Sequence, residues 1–322
     1  MKRLALALGL IVLAAAAPAA PAAAQQMTDP DFHPTVARPA FAADGPVVMI
    51  DGAHNNFHTL DGRYAPFAAL LQADGYQVRG GTAAFDAGGL DGVDVLVIAN
   101  AGPSNGGSPF TASEIEAVEA WVRGGGRLLL IADHAPFGTA AEALAARFGV
   151  RMGKGYAFAM TTAGGLTTTL TYPAEAFDDH PIITGRSADE RVDSVTAFTG
   201  QSLEGPAGAT ALLPMTVGAR ESRDLPTLQA LADRLGPSRE GGSGTEAALA
   251  ELSSPALPAQ GLAFDHGRGR VVVLGEAGML TAQLIRFPPP SGRPDQRFGM
   301  NMAPGNAQFG LNIMHWLTGL LP

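Results

Sequence analysis

Cysteine is absent from this chain of 322 residues. Its absence excludes disulfide bonds, thiolate metal ligands and every reaction that depends on a cysteine nucleophile. A chain without thiols is compatible with an oxidising compartment such as the periplasm. Catalytic groups and metal ligands therefore have to come from histidine, carboxylate, amide and hydroxyl side chains.

Positive charge is scarce as well. Lysine and arginine together number 21 against 30 aspartates and glutamates, which gives a formal net charge of −9. A protein with this balance disfavours nucleic acid and anionic surfaces as partners. Beyond the N-terminus, no stretch approaches the roughly 20 consecutive apolar residues that span a bilayer, so we predict no membrane span.

The N-terminus has the three parts of a secretory signal peptide. Lys2 and Arg3 precede an apolar run over residues 4–13, and the small residues that follow end at Ala24. A charged segment, an apolar segment and an Ala-x-Ala site in this order predict cleavage, here after Ala24. We therefore expect residues 1–24 to be removed and the mature protein to be periplasmic or secreted.

The mature chain is expected to form a single domain over residues 46–322, preceded by an N-terminal arm. Residues 25–45 are polar and contain several prolines, which indicates an arm that lies over the domain. Between about residues 150 and 260 the pattern changes to short Thr- and Gly-rich pieces and polar loops. We interpret this stretch as an irregular insertion within the domain.

Strand-like and helix-like segments alternate in the first part of the domain. Apolar runs at 46–51, 93–98 and 127–132 indicate buried strands. Thr111 and Glu114 form the capping-box pattern of a helix start, and apolar residues then recur at helical spacing. This alternation predicts an α/β fold with a doubly wound, mostly parallel sheet.

Other helices are predicted outside this capping-box helix. Apolar periodicity and Gly signals place them near 60–73, 139–148 and 225–235. A last helix is predicted at the C-terminus, with its apolar residues on one face. His315 lies on that last helix, and we interpret it as a packing residue.

Acidic and imidazole side chains lie at or just after the ends of three strand-like runs, at residues 46–51, 127–132 and 271–275. The residues concerned are Asp51, His54, His58, Asp133, His134 and Glu276. In an open parallel α/β sheet, ligands bind outside the carboxyl ends of the strands. We therefore expect these residues, although far apart in the sequence, to meet at one site.

Asp51, His54 and His58 are the candidate metal ligands. His54 and His58 have the H-x-x-x-H spacing that is common in zinc sites, and Asp51 adds a carboxylate. Nitrogen and oxygen ligands of this kind suit Zn²⁺ or Mn²⁺, which would lower the pKa of a bound water. The alternative is that these histidines, with Asn55 and Asn56, only hydrogen-bond the loop that contains them.

Asp133, His134 and Glu276 are the candidate catalytic residues. His134 would act as a base or a ligand, and Asp133 would orient an imidazole or bind a metal. Glu276 would pair with His54 or His58 or with a metal, since a buried carboxylate needs a partner. The alternatives are structural, with Asp133 as a cap of the following helix and Glu276 as an acid at a helix N-terminus.

Amide side chains are the candidate ligand-binding groups. Asn55 and Asn56 lie in the first loop, Asn100 follows the second strand run, and Asn301 and Asn306 belong to a long loop near the C-terminus. They would hydrogen-bond a polar small molecule or a glycan. The segment after Asn100 lacks both the phosphate-loop lysine and the G-x-G-x-x-G spacing, so no nucleotide cofactor is expected.

Several segments resemble the class I glutamine-amidotransferase-like superfamily. They are residues 94–100, Phe110-Thr111 and residues 124–133, together with residues 269–276 and 306–317 near the C-terminus. Within the superfamily, the chain is most similar to the branch that includes gliding-motility-associated and intraflagellar-transport domains. The resemblance implies an amidotransferase-like, flavodoxin-like α/β fold.

The chain departs from the superfamily at one functional position. In true amidotransferases a cysteine lies at the sharp turn after the strand that corresponds to residues 127–132. This chain has Asp133 and His134 there, which excludes glutaminase chemistry by a cysteine–histidine pair. The branch that the chain resembles is largely non-catalytic, so the resemblance implies a binding protein.

Two functions are compatible with the sequence. The first is an exported hydrolase that activates water with a His/Asp/Glu site, with or without a divalent metal, on a glycan or another polar compound derived from the cell envelope. The second is a non-catalytic module that binds a polar ligand or a partner in the same crevice. The number of histidines near the strand ends favours the hydrolase, and the family resemblance favours the module.

Overall fold

The structure of the protein is a computed structural model. It describes residues 25–42, 44–86, 88–160, 166–215, 219–235, 257–288 and 292–322. The predicted signal peptide, residues 1–24, lies outside the described residues. In the ranges given above, no helix is long and apolar enough to cross a membrane.

The strands and helices of the described chain are numbered here in order. The strands are β1 (Gln25–Thr28), β2 (Val47–Asp51), β3 (Gln77–Gly81), β4 (Val95–Ala99), β5 (Arg127–Ile131), β6 (Arg151–Met152), β7 (Tyr156–Met160), β8 (Leu166–Thr167), β9 (Thr169–Pro173), β10 (Ser194–Phe198), β11 (Leu203–Glu204), β12 (Thr210–Pro214), β13 (Arg220–Ser222), β14 (Ala259–His266), β15 (Gly269–Leu274), β16 (Ala282–Arg286) and β17 (Gln296–Gly299). The helices are α1 (Ala65–Ala73), α2 (Ala112–Arg123), α3 (Phe137–Arg147), α4 (Pro181–Thr184), α5 (Leu225–Leu235) and α6 (Pro304–Leu317).

The main sheet has nine strands in the order β3-β2-β4-β5-β15-β14-β11-β6, with β12 beside β14. The strands from β3 to β15 pair in parallel. A short turn at Gly267 joins β14 to β15, so these two strands pair antiparallel, and β11, β12 and β6 continue in that mode. The sheet is therefore mixed, and the prediction of a mostly parallel sheet is correct for five strands and wrong for four.

Helices cover both faces of the parallel half of the sheet. Along β4, Val95 and Val97 belong to the core that also contains residues of α1 and α6. The alternate residues Leu96 and Ile98 belong to a second core with residues of α2 and α3. Because both faces of parallel strands are buried in this way, the strands are apolar throughout. The predicted α/β class is confirmed, while the doubly wound connectivity stays a prediction.

The predicted helices are present, with some shifts at their ends. Thr111 caps α2, and its capping box with Glu114 is formed as predicted. α1 begins at Ala65 rather than near residue 60, because Pro66 occupies its first turn, where the missing N–H is not needed. α5 occupies the predicted range, and α3 begins at Phe137, slightly before its predicted start.

The stretch interpreted as an insertion contributes to the main sheet. Strands β6, β11 and β12 extend that sheet on its antiparallel side. Strands β9 and β10 form a separate hairpin, and β7, β8 and β13 form a small sheet of their own. Some of the short β segments predicted in this stretch therefore belong to the main sheet, because β11 and β12 pair with the buried strand β14.

Candidate active site

The candidate site, called the crevice below, lies at the carboxyl ends of the parallel strands. Asp51 is the last residue of β2, Asn100 directly follows β4, Asp133 follows β5, and Glu276 follows β15. These four strands are neighbours that run in the same direction. Parallel strands place their carboxyl ends at one edge of the sheet, so the structure brings these four predicted residues to that edge.

Asp133 is held by two protein groups at this edge. Asn100 Nδ2 donates to Asp133 Oδ2 at 2.7 Å, and the backbone N–H of Asp133 donates to Asn100 Oδ1 at 2.8 Å. The backbone N–H of Ala277 donates to Asp133 Oδ1 at 3.1 Å. Asn100 adopts the left-handed conformation that asparagine tolerates, which directs its side chain to Asp133. The half-buried carboxyl group is therefore fixed in orientation.

Glu276 is buried beneath the crevice, with only 2% of its surface exposed. Its Oε1 accepts from the Gly278 N–H at 2.5 Å, and its Oε2 accepts from the Met279 N–H at 2.7 Å. A Cβ atom on Gly278 would lie 2.6 Å from Oε1, so only glycine allows this approach. The partners of Glu276 are thus the first amides of a 3₁₀ turn, and not His54 or His58.

Asp133 raises the affinity of its neighbour Glu276 for protons. Burial raises the pKa of Glu276 well above its usual range, and the charge of Asp133 raises it further. Burial also raises the pKa of Asp133, although the hydrogen bond from Asn100, the charge of His134 and the Ala277 amide oppose this shift. Two buried carboxylates in one place cannot both ionise cheaply. We therefore expect the pair to hold one proton near neutral pH.

His134 lies beside this pair and is half-buried. Its ring stacks on Tyr156, with 4.0 Å between the ring centroids and an interplanar angle of 17°. His134 Nδ1 lies 2.8 Å from the backbone oxygen of Ala135, which can only accept, so Nδ1 carries a proton. In the neutral ring the lone pair is then on Nε2, which has no hydrogen-bond partner among the described residues.

His54 lies between two carboxylates instead of in an open ligand set. Its Nδ1 is 3.0 Å from both oxygens of Asp51, and its Nε2 is 2.8 Å from Glu114 Oε1. Phe85 and Phe110 pack against its ring. Burial favours a lower pKa for His54, but the hydrogen bonds and charges of Asp51 and Glu114 prevail and raise the pKa. The three residues form a buried ion-pair network, the Asp51–His54–Glu114 network.

His58 has a different environment from His54. Its ring packs on Tyr64 at 4.9 Å and on Phe57 at 5.4 Å between centroids, and its Nδ1 has no hydrogen-bond partner within the described chain. Burial, with the positive charge of Arg63, lowers the pKa of His58 to about 3. No group of three or more His, Asp or Glu side chains in the described ranges is arranged to hold a metal ion. The predicted ligands Asp51, His54 and His58 are therefore near one another in sequence without forming such a group.

The predicted amides divide between two regions. Asn55 is exposed in the loop after β2, and Asn56 Oδ1 accepts from the His54 N–H at 3.0 Å. Asn301 lies elsewhere, where its Nδ2 donates to Asp29 at 2.8 Å. Asn306 is fully buried in the first turn of α6, and its side chain pairs with the backbone of β10. Asn301 therefore stabilises the fold away from the crevice, whereas Asn306, whose Nδ2 also donates to the Met279 oxygen at 3.1 Å, supports the turn that binds Glu276.

Aromatic side chains near the acids were missed by the sequence analysis. Tyr64 is fully buried, and its hydroxyl donates to the Ala277 oxygen at 3.1 Å. Burial, with the nearby charges of Glu276 and Asp133, raises the pKa of Tyr64 well above its usual range. Phe57 is half-exposed at the mouth of the crevice, where its backbone N–H donates to the Asn100 oxygen. The sequence offered only one signal for these aromatic residues, namely that tyrosine is rare, with four in the chain.

Comparisons with known proteins show the fold and no closer kinship. No family model and no curated protein matches the sequence. The mmIFT52 N-terminal domain has a similar structure, with a TM-score of 0.56 and 13% identity over 84% of this chain and 97% of that one. A ThuA-like protein from Bacteroides uniformis gives a TM-score of 0.43 and 12% identity over 88% and 94% of the two chains.

A second ThuA-like protein, from Parabacteroides merdae, gives a TM-score of 0.43 and 13% identity over 85% and 90% of the two chains. The similarity to the mmIFT52 domain supports, at the level of the fold, the resemblance to intraflagellar-transport domains that was inferred from the sequence. The structures similar to this chain thus include an IFT52 N-terminal domain and ThuA-like proteins.

Proposed function

We propose that this chain is an exported hydrolase that activates water in the crevice at the carboxyl ends of β2, β4, β5 and β15. One observation carries the proposal: two interacting acids, Asp133 and Glu276, lie beside an imidazole whose Nε2 has no hydrogen-bond partner within the described chain. Perturbed acids in a cleft are typical of groups that exchange protons during catalysis. The placement of these groups at the ligand-binding edge of the sheet supports the same conclusion.

In this proposal His134 is the base. The Ala135 oxygen keeps the proton on Nδ1, so Nε2 is ready to accept a proton from water. Tyr156 holds the ring by stacking, and its hydroxyl donates to the same Ala135 oxygen at 3.0 Å. The base is therefore oriented from two sides before any substrate binds.

Asp133 is the acid in this proposal, and Glu276 is a positioning residue. Asp133 is the more accessible of the two, whereas Glu276 is buried and helps the pair to retain a proton. In this proposal the proton that the pair shares near neutral pH reaches the leaving group through Asp133, the accessible member of the pair. Water gives one proton to His134 and its oxygen to the substrate, while Asp133 gives its proton to the departing oxygen or nitrogen, so the hydrolysis balances.

The proposed substrate is a glycan or another polar compound derived from the cell envelope. The expected export of the chain supports the compartment, and the exposed Asn55 with the half-exposed Phe57 supports a polar, ring-containing ligand at the mouth of the crevice. Zn²⁺ or Mn²⁺ bound by Asp51, His54 and His58 stays a prediction. Both ring nitrogens of His54 are paired with carboxylates, so a metal at His54 would have to displace one of them.

The proposal is tested by measuring hydrolysis of a panel of chromogenic esters, amides and glycosides. We expect the wild-type chain to turn over at least one class of substrate. Asp133→Asn and His134→Gln should each lower kcat/KM by about 100-fold or more, because each removes a proton-transfer group. Matched controls are Asp265→Asn and His33→Gln, which change exposed residues of the same types outside the crevice and should leave the rate unchanged.

Glu276→Gln separates a positioning role from a purely structural one. With glutamine in place of Glu276, Asp133 is the only acid left to hold the proton, so the alkaline limb of the pH profile of kcat/KM should shift to lower pH. Circular dichroism and thermal unfolding check that each variant is folded. Hydrolysis that persists at the wild-type rate in folded Asp133→Asn and His134→Gln would refute the proposal.

A non-catalytic binding module is the second candidate. It is favoured by one observation, namely that all four oxygens of Asp133 and Glu276 already accept hydrogen bonds from protein groups. Groups that are satisfied in this way serve a rigid binding surface as well as they serve catalysis. The absence of turnover on the whole panel, combined with thermal stabilisation by a soluble glycan fragment that is lost in Asp133→Asn, would favour this candidate.

A further inference from the structure

Arg63, just before α1, has no counterion in the part of the chain that the structure describes. Its guanidinium forms no ion pair and no hydrogen bond with a described residue, including the exposed carboxylate of Asp61 two residues earlier. The side chain is nevertheless only partly exposed, and burial lowers the pKa of Arg63. A charge that is held partly out of water without a partner is costly. Arg63 is therefore a candidate for binding an anionic ligand.

Phe57 holds the guanidinium of Arg63 in place. Arg63 Cζ lies 4.0 Å from the centroid of the Phe57 ring, which is the geometry of a cation–π contact. An arginine that stacks on an aromatic face keeps its N–H groups available in the plane of the guanidinium. Arginine carries five N–H donors, and those of Arg63 are not used within the described chain. The guanidinium is therefore oriented before a ligand binds.

The stack of Arg63 on Phe57 lies at the mouth of the crevice. The backbone N–H of Phe57 donates to the Asn100 oxygen at 2.9 Å, and the Phe57 ring lies 5.7 Å from the Phe137 ring between centroids. Phe137 is the first residue of α3, and its backbone N–H donates to the His134 oxygen at 3.0 Å. Phe57 therefore lies between Arg63 and the start of α3, which follows the proposed base.

A second set of contacts connects Arg63 to the acids. Burial lowers the pKa of His58, and the charge of Arg63 lowers it further, so the guanidinium lies near this ring. His58 packs on Tyr64, whose hydroxyl donates to the Ala277 oxygen at 3.1 Å. The Ala277 N–H in turn donates to Asp133. Arg63 therefore belongs to the rim of the crevice, with His58 and Tyr64 connecting it to the acid pair.

The charges around Arg63 indicate a ligand with a single negative charge. The first turn of α1 contains no acidic side chain, so the positive end of the helix dipole adds to the charge of Arg63. Farther into the crevice, Asp133 and Glu276 retain negative charge, which disfavours a ligand with several charges. A carboxylate carries one charge, and its two oxygens match the planar fork of a guanidinium. A carboxylate at the rim therefore fits this site.

We propose that Arg63 binds a carboxylate of the substrate, so that the ligand of the crevice is an acidic saccharide such as a uronic acid. The carboxylate accepts two N–H groups of the guanidinium, and Phe57 is a positioning residue that holds the guanidinium by stacking. This inference rests on the proposed function, because it takes the crevice as the substrate site. It narrows the proposed polar substrate to an anionic one.

The direct test observes the Arg63 side chain in the full chain. The protein is labelled with ¹⁵N-arginine, and the side-chain Nε–H resonances are recorded while D-glucuronate is added. D-Glucose is the neutral comparison, since it has a hydroxymethyl group in place of the carboxylate. We expect a saturable shift of the Arg63 resonance with glucuronate, with a dissociation constant on the order of 1 mM. Glucose should bind at least about tenfold more weakly, because it lacks the charge-assisted hydrogen bonds.

Three variants locate the ligand, and calorimetry measures their affinity for glucuronate. Arg63→Gln removes the charge and should weaken binding by about tenfold or more. Arg63→Lys keeps the charge without the planar fork and should retain only part of the affinity. Arg147→Gln is the matched control and should bind normally, because Arg147 is exposed in the last turn of α3, whose first turn is at the crevice. Circular dichroism checks the folding of each variant.

Binding and hydrolysis are measured separately, so the two proposals fail separately. A saturable Arg63 shift with glucuronate, with binding weakened in Arg63→Gln and normal in Arg147→Gln, would support the carboxylate site even without turnover of any tested substrate. If Arg63→Gln does not fold, the wild-type titration and Arg63→Lys decide. Hydrolysis of a neutral glycoside without any glucuronate binding would overturn this inference and leave the proposed hydrolase standing.

Three further outcomes would overturn the carboxylate site. The first is the absence of a saturable Arg63 shift with glucuronate. The second is equal binding of glucose and glucuronate, or unchanged binding in folded Arg63→Gln, since the carboxylate would then not be bound by Arg63. The third is tighter binding of glucose 6-phosphate than of glucuronate, because the group that the site selects would then be a phosphate.

Discussion

At the scale of single residues, His54 shows how burial changes the role of a side chain. The H-x-x-x-H spacing with His58 predicts a metal ligand, but each ring nitrogen of His54 is paired with a carboxylate, so the ring has no free coordination position. A positive imidazolium between Asp51 and Glu114 balances two charges that would otherwise be costly to bury. The network therefore stabilises the floor of the crevice as an ionic unit.

The pH dependence of stability follows from the pKa values in this network. The pKa of His54 is raised, so its contribution is fully present below the unfolded value of 6.5 and is lost as the pH rises through the raised value. The pKa of Glu114 is lowered to about 2: burial opposes this shift, and hydrogen bonds from Thr111 and His54 outweigh it. Its contribution is present above the unfolded value of 4.5 and is lost as the pH falls toward 2.

We therefore expect His54→Gln to lower the free energy of unfolding most at pH values between the lowered pKa of Glu114 and the raised pKa of His54. At about pH 5.5 the substitution should lower the free energy of unfolding by about 3 kcal/mol, because it leaves two buried carboxylates without their cation. The loss should shrink at alkaline pH, where wild-type His54 is itself neutral. Urea unfolding of both proteins from acidic to alkaline pH measures the difference.

A second histidine provides the control for this experiment. His266 also contacts a glutamate, Glu119, at 2.8 Å, but the pair lies closer to the surface. His266→Gln should lower the free energy of unfolding by less than about 1 kcal/mol at any pH, as is usual for ion pairs near the surface. Equal and pH-independent losses in the two variants would contradict the ionic role of the Asp51–His54–Glu114 network.

At the scale of elements, α2 connects the capping of a helix to the floor of the crevice. Glu114 Oε2 accepts from the backbone N–H of Thr111 at 2.9 Å, and its Oε1 contacts His54. The Thr111 hydroxyl in turn accepts from the Glu114 N–H at 3.2 Å. One glutamate therefore closes the capping box and also completes the ion-pair network, which couples the start of α2 to the loop after β2.

This coupling predicts that substitutions of the two capping-box residues lower the free energy of unfolding by different amounts. Thr111→Ala should lower the free energy of unfolding by about 1 kcal/mol, the usual loss for an N-cap residue. Glu114→Gln should lower the free energy of unfolding by more, because it also leaves the imidazolium of His54 with Asp51 as its only carboxylate partner. Chemical denaturation of both variants measures the difference, and a larger loss in Thr111→Ala would show that α2 and the network are not coupled.

Elements were predictable where local signals and burial agree. The capping box of α2 and the apolar runs of β4 and β5 are read directly from the sequence, because propensity, periodicity and core position coincide there. The strands β6 and β11 were not resolved individually, since each has two residues and exists only through pairing with neighbours. Local sequence carries little information about such tertiary partners.

The candidate site was predictable only in its position. The acids Asp133 and Glu276 were expected at the strand ends because the sheet topology places them there. Their partners were not, because the Ala277, Gly278 and Met279 N–H groups belong to the backbone and leave no trace in side-chain patterns. Amide-rich loops are equally ambiguous, since a buried asparagine binds a ligand or a backbone with the same groups.

At the scale of the whole molecule, the N-terminal arm is a separate unit attached to one side of the domain. β1 adds to β16 in antiparallel register, within a three-stranded sheet that is distinct from the main one. Behind β1, the buried carboxylate of Asp29 accepts from Arg297 at 2.8 Å and from Asn301 at 2.8 Å. Farther along the arm, the backbone N–H of Ala40 donates to Asp74 Oδ1 at 2.7 Å. The arm is therefore fixed by strand pairing, by polar contacts and by Phe32, Val36 and Phe41, which pack against the main core, rather than by a core of its own.

Such an attachment should open as a unit without unfolding of the main sheet. Burial favours a higher pKa for Asp29, but hydrogen bonds from Asn301 and Arg297 prevail and lower the pKa. Its contribution is therefore present above the unfolded value of 3.8 and is lost as the pH falls below it. Asp29→Asn should imitate this loss at neutral pH, because it removes the charge that Arg297 binds.

Hydrogen exchange measures this opening locally. In Asp29→Asn, amides of β1 and β16 should exchange about tenfold faster or more, as expected when a charge-assisted hydrogen bond is lost, while those of β4 and β5 keep their wild-type rates. Asp31→Asn is the matched control, since that carboxylate is exposed and lies 3.8 Å from Arg297. If exchange in β4 and β5 accelerated together with exchange in β1, the arm would belong to the same cooperative unit as the main sheet, and Asp29 would act on global stability instead of on docking.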